Sequence, residues 1–304
     1  MGRYNLKNLR KYLSNQAFRI SVNSKLGLYN NIDDKEYLEK LFRASMDYDL
    51  DLQNPKTFNE KLQWLKLYDR KPEYTIIVDK YKVRDYIADK IGEEYLIPLL
   101  GVWDDPDDID FDSLPNKFVL KCNHDSGGLS ICSDKNTFDV NIAKIKLKKS
   151  LKTNYYYSGR EWPYKNVPRK IIAEKYMVDD SNSNEFTDYK FFCFNGYVDC
   201  VMVCLDRNSG DTKFYFFDKD WKLKRLNKRG KEAPKGFTIP EPECIDEMFD
   251  IASKLSEGFP FVRIDLYQSY GKVYFGEMTF YPDSGFDNNI TREADLYLGS
   301  LINL

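Results

Sequence analysis

Residues 188–204 read DYKFFCFNGYVDCVMVC, two apolar runs of strand length joined by Asn195-Gly196. An Asn-Gly pair accepts positive φ at both positions, as a type I′ turn requires, so the segment predicts a tight antiparallel hairpin. Residues 261–280, FVRIDLYQSYGKVYFGEMTF, predict a second hairpin with its turn on Gly271. FVLKC (118–122), RKIIAEKYM (169–177) and TKFYFFD (212–218) add strands, and YLIPLLGVW is strand-like. The first third differs. Residues 33–50, 59–70 and 79–91 predict helices, the second with Leu62, Leu65 and Tyr68 on one face and Thr57 and Glu60 as a capping box. Residues 139–152 and 245–257 predict two more. The class is therefore α+β with mostly antiparallel sheets. The acidic loop 104–112 is the expected boundary between a small leading region and the rest.

Composition narrows the function classes. Of 304 residues, 42% are hydrophobic and 31% charged, as in ordinary globular chains. A net charge of −2 argues against nucleic acid as a general partner, which needs a clustered basic footprint. The six cysteines (Cys122, Cys132, Cys193, Cys200, Cys204, Cys244) form no CxxC pair, and His124 is the single histidine. A zinc site is not expected. Runs such as FFCF and VMVC suit reduced core thiols and a cytoplasmic location. No apolar run reaches membrane-spanning length, and no secretory signal is read. The first 26 residues carry Arg3, Lys7, Arg10, Lys11, Arg19 and Lys25 and no acid, with Leu6, Leu9, Tyr12 and Leu13 at helical spacing. Two readings stay open: a solvated helix packed on the domain, or peripheral contact with the inner face of a membrane.

The second hairpin carries the strongest chemical signal. Arg263 and Asp265 lie two apart and face the same way in a strand, as do Glu277 and Thr279. With the turn centred on Gly271, positions 265 and 277 pair directly, with Cβ atoms about 5 Å apart. Two carboxylates at that distance repel unless a cation lies between them. Arg263 serves in part, and Mg²⁺, which takes carboxylate and phosphate oxygens, serves better. A turn shifted by half a residue would send Glu277 to the other face. The competing reading is a solvated hairpin with an ion pair. FVLKCNHDSGG delivers Lys121 and then a Ser126-Gly127-Gly128 turn, which suits phosphate binding without matching a P-loop or dinucleotide fingerprint. His124 is read either as a phosphate or substrate contact or as a loop hydrogen bond. IIAEKYM is read either as a plain sheet edge or as a hinge whose backbone meets adenine.

In this order the segments resemble the ATP-grasp superfamily. Asp79-Lys80 followed by Pro98, the FVLKCNHDSGG lysine strand, the AEKYM hinge and RID…GEMT are similar to its motifs. The likeness is closest to the TupA-like branch, named for teichuronopeptide synthesis, which shows a FNEKLQWLK-type segment, a K-x-N-H-x-S-G loop and a G-E-T-x-x-P-type end, and it runs from about residue 54 to 285. The resemblance implies two α+β subdomains clasping ATP: a helical basic extension at 1–50, a leading region at 51–112, and an ATP-grasp region at 113–304 with its lid at about 118–177. It implies that Lys121, assisted by Lys80, contacts phosphates. Ser126, Gly127 and Gly128 would cover them, and Glu174, Lys175, Tyr176 and Met177 would border the nucleotide. Lys190 would approach the phosphates, Asp265, Glu277 and Thr279 would hold one or two Mg²⁺ ions, and Arg263 would steady an acyl phosphate. Threonine at 279 departs from the usual asparagine, which weakens a second metal site.

The implied activity is an ATP-dependent carboxylate–amine ligase. It would join an amino acid or amine to a uronic acid of a bacterial capsular or other cell-surface polysaccharide, with a polymer or lipid-linked sugar as acceptor. Arg160, Arg207 and Arg229 are candidate carboxylate anchors. The alternatives are a capsule glycosyltransferase, for which Asp105-Pro106-Asp107 and Asp110-Phe111-Asp112 nominally supply an Asp-x-Asp motif, an ATP-grasp sugar kinase, and a non-catalytic nucleotide-binding module.

Overall fold

The structure is a computed structural model that describes residues 2–177, 187–206 and 211–304. The chain opens with helices α1 (Gly2–Ser14), α2 (Gln16–Lys25), α3 (Asp34–Met46) and α4 (Phe58–Tyr68). Asn15 caps α2 and Asp33 caps α3, each accepting from amides of the first turn. The Thr57–Glu60 capping box is present at α4. The helix predicted over 79–91 is α6 (Val83–Lys90), shorter at its start, and a further helix, α5 (Glu73–Val78), precedes it. Asp79 accounts for the break between them, because its carboxylate accepts from the Tyr81 and Lys82 amides and holds a turn there.

Next come β1 (Leu99–Trp103), β2 (Phe118–Cys122), β3 (Leu129–Cys132), α7 (Val140–Leu151), α8 (Tyr156–Gly159) and β4 (Ile171–Lys175). They build a four-stranded sheet in the order β1-β4-β2-β3, every pair antiparallel. Phe118, Leu120, Ile171 and Ala173 alternate inward and pack with Leu147 of α7 as a separate small core. In the terms of the family resemblance this sheet would be the lid. Because β1 pairs with β4, the acidic loop 104–112 joins two strands of one sheet. Its two Asp-x-Asp stretches are spent locally: Asp105 and Asp110 accept from nearby amides, and Asp107 pairs with Lys144 and Lys148.

The rest is β5 (Asp188–Phe194), β6 (Tyr197–Leu205), β7 (Lys213–Phe217), β8 (Leu223–Lys224), α9 (Lys228–Glu232), α10 (Ile245–Ser256), β9 (Val262–Ser269), β10 (Lys272–Thr279) and α11 (Arg292–Ser300). The strands form a six-stranded antiparallel sheet, β10-β9-β5-β6-β7-β8. Asn195 and Gly196 have φ of 50° and 87°, the predicted hairpin turn. Consecutive residues of β5 point to opposite faces. The Phe191 ring meets Phe249 of α10 edge-on at 5.1 Å, while Phe192 faces Phe58 of α4 at 6.1 Å. The sheet is therefore covered on both sides, and Lys190, in phase with Phe192, lies on the α4 side. All six cysteines are free thiols.

Candidate active site

Three strands carry a row of charges across the large sheet. Lys190 of β5 pairs with Asp265 of β9, which pairs with Glu277 of β10. The adjacent row is Phe192, Arg263 and Thr279. The turn, however, does not set this register. Lys272 lies opposite Ser269 and Phe275 opposite Leu266, so the loop is Tyr270-Gly271, with φ of 49° and 67°. Continued without interruption, that register would put Gly276 opposite Asp265 and turn Glu277 away. A bulge between Phe275 and Glu277 absorbs Gly276 and restores the pair. The expected turn centre was half a residue off, and the bulge compensates.

Gly276 is required by close approach. A Cβ there would lie 2.7 Å from the Tyr267 ring and 2.9 Å from the Asp265 carbonyl oxygen. Gly276→Ala is expected to cost about 1–3 kcal/mol, the usual range for overpacking, and to weaken Mg²⁺-dependent ATP binding by displacing Glu277. Thermal unfolding and titration calorimetry check the two effects separately.

Asp265 is 1% exposed and held by cations. Arg263 donates to it in bidentate fashion at 2.7 and 2.8 Å, and the Lys190 ammonium donates to Oδ2. Burial works against ionisation here, but the Arg263 and Lys190 charges outweigh it and hold the carboxyl below its usual range. Arg263 also donates to the Thr279 hydroxyl at 3.3 Å. Glu277 is looser. Its side chain is 37% exposed, with one oxygen 3.6 Å from Arg263 and the other 3.8 Å from the Lys80 ammonium.

Lys80 joins the two sheets. The same ammonium that approaches Glu277 donates to the Asp125 carbonyl at 2.8 Å, in the lid loop between β2 and β3. Asn123 braces this junction, donating to Asp79 at 2.8 Å and accepting from the Lys170 amide at 2.7 Å. On the lid strands, Lys121 lies 2.5 Å from Glu174, and Arg84 adds a second cation at 3.7 Å. The two residues expected to contact nucleotide separately are thus partners. Lys175 is exposed and Tyr176 and Met177 half-buried, at the point where the described chain pauses.

Several expectations are corrected. Ser126 and Gly127 are exposed at the loop tip, but Gly128 is buried. Its amide donates to the Asp125 carboxylate, and a Cβ there would lie 2.7 Å from the Cys122 sulfur. Packing demands this glycine, and its N–H is not offered to a phosphate. His124 is buried, 3.3 Å from the Ser150 carbonyl oxygen, and burial pushes its imidazole below the usual value. It braces the loop against α7, one of the two readings the sequence left open. Arg160 is 1% exposed. It sits 3.1 Å from Asp34, donates to the Tyr29 carbonyl and stacks over the Tyr37 ring, so it is structural. Arg229 pairs with Asp211 at 2.8 Å on α9, by β7, toward the opposite edge of the sheet from Glu277. Arg207 lies outside the described residues.

The sequence reading missed the polar face of α4. Asn59, Gln63 and Lys66 follow one another at helical spacing and are fully buried. Lys66 donates to Gln63, to the Gly159 carbonyl and to the Ser284 carbonyl at 2.6–2.9 Å. Gln63 donates to the Gly285 carbonyl, and Asn59 to Asp295. These contacts hold the loop after β10, in which Asp283 and Ser284 both adopt left-handed φ, 48° and 52°. The Ser284 hydroxyl donates to Glu161. Burial pulls the Lys66 ammonium down to about 7 against the opposing charge of Glu161, and burial raises the Glu161 carboxyl. Two amides and a lysine among Leu62 and Leu65 were the available signal.

A small antiparallel sheet and a larger one, bridged by a lysine at a paired-carboxylate hairpin, give this chain the architecture of the ATP-grasp class. A family model for TupA-like ATP-grasp proteins matches residues 60–303, and the chain belongs to that family. Among solved structures it is similar to the D-alanine–D-alanine ligase of Bacillus anthracis (15% identity, 82% of this chain and 69% of that one, TM-score 0.42). It is also similar to the Helicobacter pylori enzyme (13%, 81% and 69%, TM-score 0.42) and to the ATP-grasp ligase PsnB with its minimal precursor (10%, 80% and 66%, TM-score 0.42). No curated protein matches the chain in sequence.

Proposed function

We propose that the protein uses ATP and Mg²⁺ to join a carboxylate to an amine through an acyl phosphate, on a uronic acid of a bacterial cell-surface polysaccharide. The observation that carries the reaction class is Lys80, whose ammonium lies between the lid loop and Glu277 of the charged row. The cations of the site are each held by an acid: Lys121 and Arg84 by Glu174, Lys190 and Arg263 by Asp265. A triphosphate entering between the sheets can draw on these charges without new ones being buried.

The donors suit magnesium. Among the described residues no cluster of three His, Cys, Asp or Glu side chains forms a self-sufficient metal site. Two opposed carboxylates with a nearby hydroxyl instead fit a hard ion that completes its shell with phosphate oxygens and water. Glu277 and Asp265 would hold it, and its charge would offset that of the phosphates.

The substrate carboxylate oxygen forms a bond to the γ-phosphorus, and the bond to ADP breaks. The amine nitrogen then attacks the acyl carbon, the carbon–oxygen bond to phosphate breaks, and the amine proton passes to solvent. Lys80 and Lys121 bind phosphates, and Arg263 steadies the transferred group. Positioning and charge supply the acceleration, with no covalent enzyme intermediate. The polysaccharide acceptor rests on the resemblance to the TupA-like branch, named for teichuronopeptide synthesis.

The test incubates the protein with ATP, Mg²⁺, an oligosaccharide containing uronic acid and a pool of amino acids. ADP plus free phosphate, dependent on both acceptor and amine, is the expected result. ADP without free phosphate means a kinase. Release of a nucleoside diphosphate from a sugar nucleotide, with no ATP turnover, means a glycosyltransferase. Either overturns the ligation.

A further inference from the structure

We infer that the α1–α2 hairpin is a peripheral docking surface for a bilayer with anionic headgroups. The site chemistry does not use it, and the inference stands independently of the substrate. The hairpin is a defined unit. The Tyr12 hydroxyl donates to Asn23 at 2.9 Å, Arg19 donates to the Tyr12 and Leu13 carbonyls, and the Lys11 ammonium lies 4.8 Å from the Phe18 ring centre. Contacts inside the hairpin are thus made by Tyr12 and Phe18. Leu9 and Leu13, one turn apart on the same side of α1, are 54% and 68% exposed. Leu26 and Leu28, just past α2, are 70% and 66% exposed.

Charge selects the occupant. Through Ile32 the chain has six lysines and arginines and no acid, although its net charge is −2. Attraction to an anionic surface explains the cations, and an apolar layer beneath that surface explains exposed leucines beside them. Nucleic acid would account for the first and not the second. The hairpin also has a firm connection to the body. The Ser24 hydroxyl on α2 donates to the Tyr157 carbonyl at 2.5 Å. The segment from Tyr157 runs on to Gly159, held by Lys66, and Glu161, held by Ser284. A docked hairpin would thus hold the loop beside Glu277 at a set height above the membrane, where an acceptor carried on a lipid is presented.

The experiment is co-sedimentation of the full chain with vesicles of phosphatidylglycerol and phosphatidylcholine, against vesicles of phosphatidylcholine alone. Expected is binding to the anionic vesicles at least about tenfold tighter than to the neutral ones, lost in about 0.5 M salt, where screening shortens to a few ångströms. L9S/L13S is expected to cut the anionic binding about tenfold, and R10E/K25E to abolish it. All four side chains are exposed, so melting temperature and ADP binding should match the wild type. No binding to anionic vesicles overturns the inference. So does binding that responds to R10E/K25E but not to L9S/L13S, with equal retention on heparin, which would make the hairpin a general polyanion contact.

Discussion

Glu277→Gln is expected to leave the melting temperature within a degree or two of wild type while ATP turnover in the coupled assay falls at least about 100-fold. The two effects separate because of how Glu277 is held. Its side chain is partly open, and its cation neighbours, Arg263 at 3.6 Å and Lys80 at 3.8 Å, each have a closer acceptor in Asp265 and in the Asp125 carbonyl. Removing the charge strands neither cation, so stability changes by about 0.5 kcal/mol, as for an exposed pair. The function lost is charge toward a metal ion, and glutamine keeps the shape without it. Mg²⁺-dependent ATP affinity by calorimetry should fall about tenfold, with metal-free nucleotide binding little changed. Retained turnover would remove the metal assignment.

Asp265→Asn is expected to do the opposite and damage the fold. Asp265 sits between Arg263 and Lys190, both largely buried. An amide leaves Lys190 only Asp188, at 3.5 Å, and Arg263 only Glu277, at 3.6 Å, as counter-charges, and breaking the closer buried pairs costs about 3–5 kcal/mol. In a chain of this size that lowers the melting temperature by roughly 10 °C. The pH dependence has a definite sign. The folded carboxyl is held below its usual range. Its contribution is therefore fully present above the unfolded value near about 4 and lost as the pH falls below it. The wild type should lose more stability than the variant between pH 6 and pH 3 in thermal scans, and parallel curves would refute the buried pair. Because the variant loses activity by either route, Glu277→Gln is the cleaner probe of chemistry.

Most of the strands, both hairpins and the identity of the central acids were legible in local pattern. Alternating apolar residues and positive-φ turn residues are short-range signals, and they place Asn195-Gly196 and the 261–280 hairpin without knowledge of the rest. The motifs at Lys80, Lys121 and Glu277 were legible as residue types suited to phosphate and metal. Local pattern failed where a partner lies far along the chain. Nothing near residues 99–103 reveals that they pair with residues 171–174. Arg160 looked like a surface anchor, and only the packing of Tyr37 and Asp34 around it shows a buried brace. Asn59, Gln63 and Lys66 carried no reading in the sequence, and a loop from the other end of the chain buries them.

The hairpin of Asp265 and Glu277 shows where the division lies. Sequence alone determined that two carboxylates, an arginine and a threonine occupy alternate positions on adjoining strands, because side-chain direction in a strand has period two. It did not determine that the two acids share a face. A half-residue shift in the Tyr270-Gly271 turn would have separated them, and the bulge at Gly276 brings them back. That bulge forms where the Tyr267 ring and the Asp265 carbonyl close over a residue with no side chain. Register is a property of two strands and what packs on them, so the tertiary structure decided it.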